Sequence, residues 1–93
     1  MTLVTTEAFD ASAAWQLSPR VSLRDETFGA LAYHHDTRRL VFLKSRPLVS
    51  LVRRLGEFAT ASDAVTALVP SAEHDRYVAA LRSLARSEIL CGS

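Results

Sequence analysis

Histidine, cysteine and paired carboxylates are the residues of this chain that could do chemistry, and their spacing does not favour it. The three histidines are His34, His35 and His74, and no CxxC, HxxxH or HExxH motif occurs. Adjacent histidines in a strand point to opposite faces, so His34 and His35 cannot readily bind one metal ion. We therefore predict no metal site and no cofactor, and we interpret the two histidines as part of a solvated turn.

The acids and nucleophiles give no catalytic arrangement either. Acid–base catalysis needs two titratable groups with different surroundings, but Asp25 and Glu26 are neighbours in a polar segment where both should be hydrated. No serine lies in a GxSxG motif, and Cys91 has no recognisable nucleophile setting. With 3 glycines in the chain, a phosphate-binding loop is absent as well. We predict no catalytic residue and a protein that is not an enzyme.

The bulk composition narrows the possible partners. A chain of 93 residues forms one small domain, and its net charge of +1 provides no field that would hold a polyanion. A single cysteine cannot form an internal disulfide, which favours a reduced, cytoplasmic protein. No apolar stretch approaches the roughly 20 residues that span a bilayer. We predict neither a nucleic-acid partner nor a membrane partner.

The first half of the chain has the pattern of short strands. Residues 1–14 show no sustained period and are interpreted as a flexible N-terminal arm, with the domain at 15–93. Apolar and polar residues alternate in Trp15–Leu17 and again in Val21–Arg24, which is typical of half-buried strands, and Asp25–Thr27 supplies a turn.

Two apolar runs complete the predicted sheet. Phe28–Tyr33 is almost wholly apolar, as expected of a middle strand, and Gly29 within it indicates a bulge or a close packing contact. A polar connection, His34–Arg39, leads to the apolar run Leu40–Leu43. These segments predict a three-stranded meander.

The second half has the pattern of three helices. Ser45 and Pro47 start the first, which ends near Gly56. Thr60 or Ser62 caps a second helix that runs to Leu68, and Ser71 caps a third. The apolar stripes of the three predicted helices are Leu48, Leu51, Val52 and Leu55; Val65 and Leu68; and Tyr77, Val78, Leu81, Leu84 and Ala85. Ile89 and Leu90 are expected to close back on the core. The predicted fold is α+β: a three-stranded antiparallel sheet followed by three helices, similar to a winged helix-turn-helix.

The last strand, Arg38–Lys44, has an unpaired side in such a meander. Natural sheets usually protect an edge with proline, bulges or inward-pointing charges, but here only the ends carry charge, on Arg38, Arg39 and Lys44. We infer β-augmentation, in which an extended peptide adds as a further strand. Basic residues around the edge would steer an acidic peptide, and Arg76 beside Tyr77 offers an aromatic anchor with a charge next to it.

A series of residues resembles the mycofactocin-system peptide chaperone family. The resemblance covers roughly 15–90 and is densest over 15–45, where it is carried by these positions: Trp15, Leu17, Ser18, Pro19, Val21, Leu23, Arg24, Glu26, Phe28, Gly29, Ala30, Leu31, Tyr33, Thr37, Arg38, Arg39, Leu40, Phe42, Leu43, Lys44 and Ser45. The family is one of the recognition domains for ribosomally made, modified peptides and is similar to the pyrroloquinoline-quinone chaperone.

The resemblance implies a non-catalytic protein that binds a precursor peptide and presents it to a radical S-adenosylmethionine (SAM) enzyme. It also implies that the leader of the peptide lies along the third strand, in a cleft against the third helix. The peptide-binding residues expected on this basis are Arg38, Arg39, Leu40, Val41, Phe42, Leu43, Lys44, Arg76, Tyr77, Ala80, Leu81 and Leu84.

Two other functions stay open from the residues themselves. One is a winged-helix regulator that binds DNA through the third helix, against which the acids Glu73, Asp75 and Glu88 and the near-neutral charge argue. The other is a homodimer that pairs through the same edge or exchanges its N-terminal strand.

Overall fold

Five short strands in two antiparallel sheets and three α-helices form the fold of residues 9–93, the part of the chain that the computed structural model describes. The strands are β1 (Trp15–Leu17), β2 (Val21–Glu26), β3 (Gly29–His34), β4 (Leu40–Leu43) and β5 (Leu90–Gly92). The helices are α1 (Arg46–Arg54), α2 (Ala61–Leu68) and α3 (His74–Arg86), with 3₁₀ turns at Leu55–Glu57 and Ser71–Glu73.

The predicted α+β class, the antiparallel pairing and the three helices are confirmed, but the arrangement of the strands is corrected. We expected one three-stranded sheet placed before the helices, and residues 9–93 instead form five strands in two sheets. Leu90 pairs with Leu17, so β1 and β5 form a separate two-stranded sheet. Leu90–Gly92 does not alternate between apolar and polar residues as Trp15–Leu17 does, which is why β5 was not predicted.

The segment just before β1 is joined to α2. Phe9 is buried, and its ring centroid lies 5.0 Å from that of Trp15. The carbonyl oxygens of residues 11 and 13 accept hydrogen bonds from the backbone N–H groups of Ser62 and Ala61 at 2.8 and 3.0 Å. The remaining residues of the predicted arm, 1–8, lie outside the described part of the chain.

In the larger sheet β3 is central, as its apolar sequence predicts, and the order is β2-β3-β4. β2 runs two residues further than expected, because Glu26 pairs with Gly29 and leaves only Thr27 and Phe28 for the turn. Phe28, predicted as the start of the middle strand, therefore lies in the hairpin turn, where it is exposed.

Gly29 makes the close packing contact that its position in the strand predicts. Its φ is +151°, a backbone conformation that other residues rarely adopt, and a Cβ atom built there would lie 2.0 Å from the carbonyl oxygen of Leu43. Only glycine permits this approach of β3 to the end of β4.

The helices cover one face of the larger sheet, and the core lies between them. Residues 30, 32 and 43 face this side and are fully buried, as are Leu51 and Leu81 from α1 and α3. The Ser45 hydroxyl accepts a hydrogen bond from the backbone N–H of Leu48 at 3.2 Å, which confirms the predicted cap of α1.

The N-termini of α2 and α3 test the other predictions of helix caps. Thr60, one of the two predicted caps, accepts from the backbone N–H of Asp63 at 3.0 Å and starts α2. The prediction that Ser71 caps α3 is wrong, because Ser71–Glu73 form a 3₁₀ turn and the helix begins at His74. Ile89 and Leu90 are buried, as predicted. No helix within residues 9–93 has the length and apolar character needed to cross a membrane.

Candidate functional site

The free edge of β4 is the most distinctive backbone feature of the fold. The His34 N–H donates to the carbonyl of Arg39 at 2.9 Å, and 34 and 39 stand opposite each other in the register of β3 and β4. Antiparallel pairs alternate between hydrogen-bonded and non-hydrogen-bonded, so Val41 and Leu43 direct their N–H and C=O groups towards β3. Leu40 and Phe42 direct theirs to the opposite side, where no strand of residues 9–93 pairs with β4.

The side chains of β4 alternate in the same way between two faces of the sheet. Leu43 is fully buried against the helices and Val41 is half-buried, whereas Leu40 and Phe42 are each 54% exposed on the face without helices. β4 therefore combines an inner face that belongs to the core, an outer face that is open, and an edge with free backbone groups.

A cleft of about 230 Å³ opens at the Lys44 end of β4, between the start of α1 and the side of α3. Its lining includes four of the predicted site residues, Lys44, Arg76, Tyr77 and Ala80, together with Ser45 and Leu48, which we had not predicted as site residues. The structure therefore brings residues from strand and helix together across more than thirty positions of sequence.

Arg76 and Tyr77 have the predicted pairing of a charge with an aromatic ring. The Arg76 guanidinium carbon lies 5.7 Å from the centroid of the Tyr77 ring, within the range of a cation–π contact. Arg76 also forms an ion pair with Glu73, one turn earlier. Tyr77 is buried, so its ring forms a wall of the cleft and does not project from the surface.

Besides Tyr77, three of the predicted site residues lie in the core. Leu43 and Leu81 are fully buried and Leu84 is 5% exposed. Because their side chains are buried, any contribution that they make to ligand binding comes through the shape of the cleft.

Arg38 and Arg39 lie on the exposed turn before β4. Arg38 has a φ of +63°, and the turn is closed by a hydrogen bond from its N–H to the carbonyl of His34 at 2.8 Å. Among the ion pairs within residues 9–93, none involves Arg38, Arg39 or Lys44. Positive charge that no carboxylate of residues 9–93 neutralises in an ion pair thus borders both ends of the free edge.

His34 holds this turn, and the interpretation of the two histidines as part of a solvated turn is corrected for His34, whereas His35 is exposed. Its side chain is only 4% exposed, and its Nδ1 atom accepts hydrogen bonds from the backbone N–H groups of Asp36 and Thr37 at 3.1 and 3.2 Å. His35 points to the opposite face, where it lies 2.7 Å from the Ser22 hydroxyl. The alternation that buries residues 30 and 32 extends to 34, and this period could have revealed the role of His34.

An ion pair ties the same turn to β2. Arg20 Nε donates to Asp36 Oδ2 at 2.9 Å, and this hydrogen bond lowers the pKa of the Asp36 carboxyl. The two groups are exposed, so the pair orients the turn more than it stabilises the fold.

A second concavity, of about 370 Å³, lies beside the β2–β3 hairpin and α1. Most of its charged walls are paired, since Arg53 donates to Asp25 at 2.9 Å and Arg24 donates to Glu26 at 2.7 Å, while Arg46 also lines it. Asp25 and Glu26, the neighbouring carboxylates of the sequence, thus each face an arginine. The described residues contain no group of three His, Cys, Asp or Glu side chains that could hold a metal ion.

Comparison with known proteins decides the family. Residues 14–91 match the sequence profile of the peptide chaperone MftB family. The chain belongs to this family. Its members are named for a peptide chaperone role, which confirms the prediction of a protein that is not an enzyme.

Curated relatives agree with the family over most of the chain. The chain is 43% identical over 84 residues to "Peptide chaperone MftB" of Mycobacterium ulcerans, covering 89% of this chain and 77% of that protein. It is 41% identical over 83 residues to the protein of the same name from Mycobacterium tuberculosis, covering 88% and 76%. The corresponding values for Mycolicibacterium smegmatis are 40% over 83 residues, 88% and 81%. No solved structure matches the chain.

Proposed function

We propose that the chain binds the leader of a ribosomally made precursor peptide, the mycofactocin precursor, and presents it to a radical SAM enzyme in the cytoplasm. The leader adds as a strand to the free edge of β4. The observation that carries this proposal is the outward direction of the backbone groups of Leu40 and Phe42, next to a cleft that α1 and α3 line. The chaperone role of the family supports it.

The edge of β4 supplies a large part of the binding energy that a micromolar complex needs. Two N–H and two C=O groups give four hydrogen bonds at about 1 kcal/mol net each. Two aliphatic side chains of the peptide, buried at about 2 kcal/mol each, raise the sum to about 8 kcal/mol. This sum corresponds to a Kd of about 1 μM. Because ordering a flexible peptide costs part of it, contacts of the peptide with the cleft must supply the difference in a micromolar complex.

Each group of predicted site residues has a distinct part in this proposal. Leu40, Val41 and Phe42 supply the edge, while Lys44, Arg76, Tyr77 and Ala80 line the cleft that receives the end of the bound segment. Arg38 and Arg39 steer an acidic leader. Leu43, Leu81 and Leu84 support the cleft from the core.

The winged helix-turn-helix arrangement belongs to the same proposal. In it, α2 and α3 form the helical pair and the β3–β4 hairpin forms the wing. Peptide recognition then uses the side of α3 that faces β4, and needs no groove-binding surface for DNA.

Calorimetric titration with the synthetic leader encoded by the short reading frame beside the gene tests this function. We expect a one-to-one complex with a micromolar Kd, a further heat when the neighbouring radical enzyme is added, and no binding of a scrambled leader. An arbitrary DNA duplex serves as a second ligand. Tight, strongly salt-dependent binding of the duplex without binding of the leader would support the regulator instead.

Sedimentation at several protein concentrations tests the homodimer that pairs through the same edge. A monomer that binds the leader is consistent with the proposal. A dimer that dissociates when the leader is added would show that the second protomer and the leader compete for the edge of β4.

A further inference from the structure

An apolar patch lies on the face of the larger sheet that the helices leave uncovered. Phe28, Leu40 and Phe42 are 43%, 54% and 54% exposed, and the ring centroids of Phe28 and Phe42 are 5.8 Å apart. Leu31 stands opposite Phe42 in the register and Tyr33 opposite Leu40, and both are half-buried on the same face. Single exposed apolar residues are ordinary, but a contiguous group of this kind marks a contact surface.

The two borders of this patch differ. Towards β2 it ends at the ion pair of Arg24 and Glu26, whose charges neutralise each other. Towards β4 it has no border, because β4 is the last strand of the sheet within residues 9–93. The apolar surface therefore runs up to the free edge.

The same two residues carry the free backbone groups and the exposed side chains. Leu40 and Phe42 direct their N–H and C=O groups outward from the edge and their side chains to the open face. A strand that binds these backbone groups places the opposing side chains on that same face, about 5 Å away between Cβ atoms. The occupant that this geometry selects is the bound peptide itself, through its side chains.

We propose that Leu40 and Phe42, with Phe28 behind Phe42, recognise apolar side chains of the bound peptide on the open face of the sheet. The inference rests on the proposed function and specifies its ligand: a segment with two large apolar residues separated by one position. The intervening residue points to the helix side of the sheet, opposite the half-buried Val41.

A serine scan of the synthetic leader, measured by calorimetry, tests this pattern. We expect two positions, two residues apart, at which serine weakens binding by about three- to tenfold. Phe42→Ser in the protein should weaken binding of the unchanged leader by a similar factor. A leader that already has serine at the position facing Phe42 should bind the Phe42→Ser protein almost as well as it binds the original protein. Both substitutions remove the same contact, so their effects do not add.

Two variants serve as controls. Arg24→Ser alters the same open face at the far edge and should leave the affinity within twofold of the original. Phe42→Leu retains an apolar side chain and should restore most of the affinity that Phe42→Ser loses. Circular dichroism checks that each variant is folded, which we expect because Phe42 and Arg24 are exposed.

The outcomes separate this inference from the proposed function. If Phe42→Ser and Leu40→Ser bind the leader like the original protein while Phe42→Pro does not, the open-face readout is overturned and the edge remains the binding site. If the serine variants change self-association or the affinity for the radical enzyme, and not the affinity for the leader, the patch serves a second copy or the enzyme and the inference is again wrong. Failure of the original protein to bind the leader at all contradicts the proposed function itself.

Discussion

Gly29 lies directly against the carbonyl oxygen of Leu43, so close that a Cβ atom would be 2.0 Å from it. This contact joins the β2–β3 hairpin to the end of β4, two residues before the Ser45 cap of α1. The position of the cleft at Lys44 therefore depends on a glycine in the neighbouring strand.

Gly29→Ala should lower the free energy of unfolding by about 2–4 kcal/mol, through backbone strain at positive φ and a clash with backbone atoms that cannot move alone. Urea denaturation measures the change. Gly92→Ala is the matched control, because a Cβ there meets nothing within 4 Å, and it should change the stability by less than about 0.5 kcal/mol. Equal effects of the two substitutions would contradict the close contact.

Proline substitutions in β4 should distinguish its two sides. Phe42→Pro removes an N–H that points out from the edge, so the protein should stay folded and lose leader affinity by about tenfold beyond the loss in Phe42→Ala, which removes the ring alone. Val41→Pro removes an N–H that bonds to β3 and should instead lower the stability by several kcal/mol. The edge assignment fails if Phe42→Pro binds the leader as tightly as Phe42→Ala does.

Reversing Arg38 and Arg39 to Glu should slow association with an acidic leader and flatten its dependence on salt, because unpaired charges beside the edge attract the ligand over distances that salt screens. Stopped-flow fluorescence at two ionic strengths measures the rate constant. Reversing Arg82 and Arg86 gives the same change of net charge on the exposed side of α3 and should slow association less. Identical rates for the two double variants would mean that only net charge matters.

Filling the cleft should block the bound segment. Ala80 lines it and is half-buried, so Ala80→Phe should place a ring in the cavity and weaken leader binding by tenfold or more with little loss of stability. Its neighbour Ala79 is exposed, and Ala79→Phe makes the same change 100° away around the helix, so it should bind normally. Calorimetry with both variants decides whether the cleft is occupied in the complex.

The Arg20–Asp36 pair makes a small pH-dependent contribution with a definite sign. The hydrogen bond from Arg20 lowers the pKa of Asp36 in the folded protein, so its stabilising effect is present above the ordinary pKa of aspartate, about 4, and is lost as the pH falls through the lowered value. In Arg20→Gln, the pKa of Asp36 should rise towards the ordinary value. An NMR titration of the Asp36 carboxyl carbon measures it, and an unchanged midpoint would show that the pair does not form in solution.

The sequence correctly predicted several local features for reasons that are themselves local. A serine followed by proline starts α1, five residues of an apolar run of six lie in the central strand, and a glycine within it marks a close approach of two backbones. Two other features could be recognised only in the folded chain. The pairing of β1 with β5 joins segments more than seventy residues apart, and the hydrogen bonds that His34 Nδ1 accepts from Asp36 and Thr37 need the closed turn after β3.

By itself, the sequence determined the α+β class, the position of β4 at an edge and the family resemblance, because periods of apolar residues and motif spacing are written along the chain. Only the tertiary structure decided that Phe42 and not Val41 presents its backbone groups to a guest. A period of two shows that successive residues of a strand point in alternate directions, but it does not show which of them point towards the neighbouring strand. The phase is set by pairing with β3, where the hydrogen bond from His34 to Arg39 fixes which residues of β4 face inward.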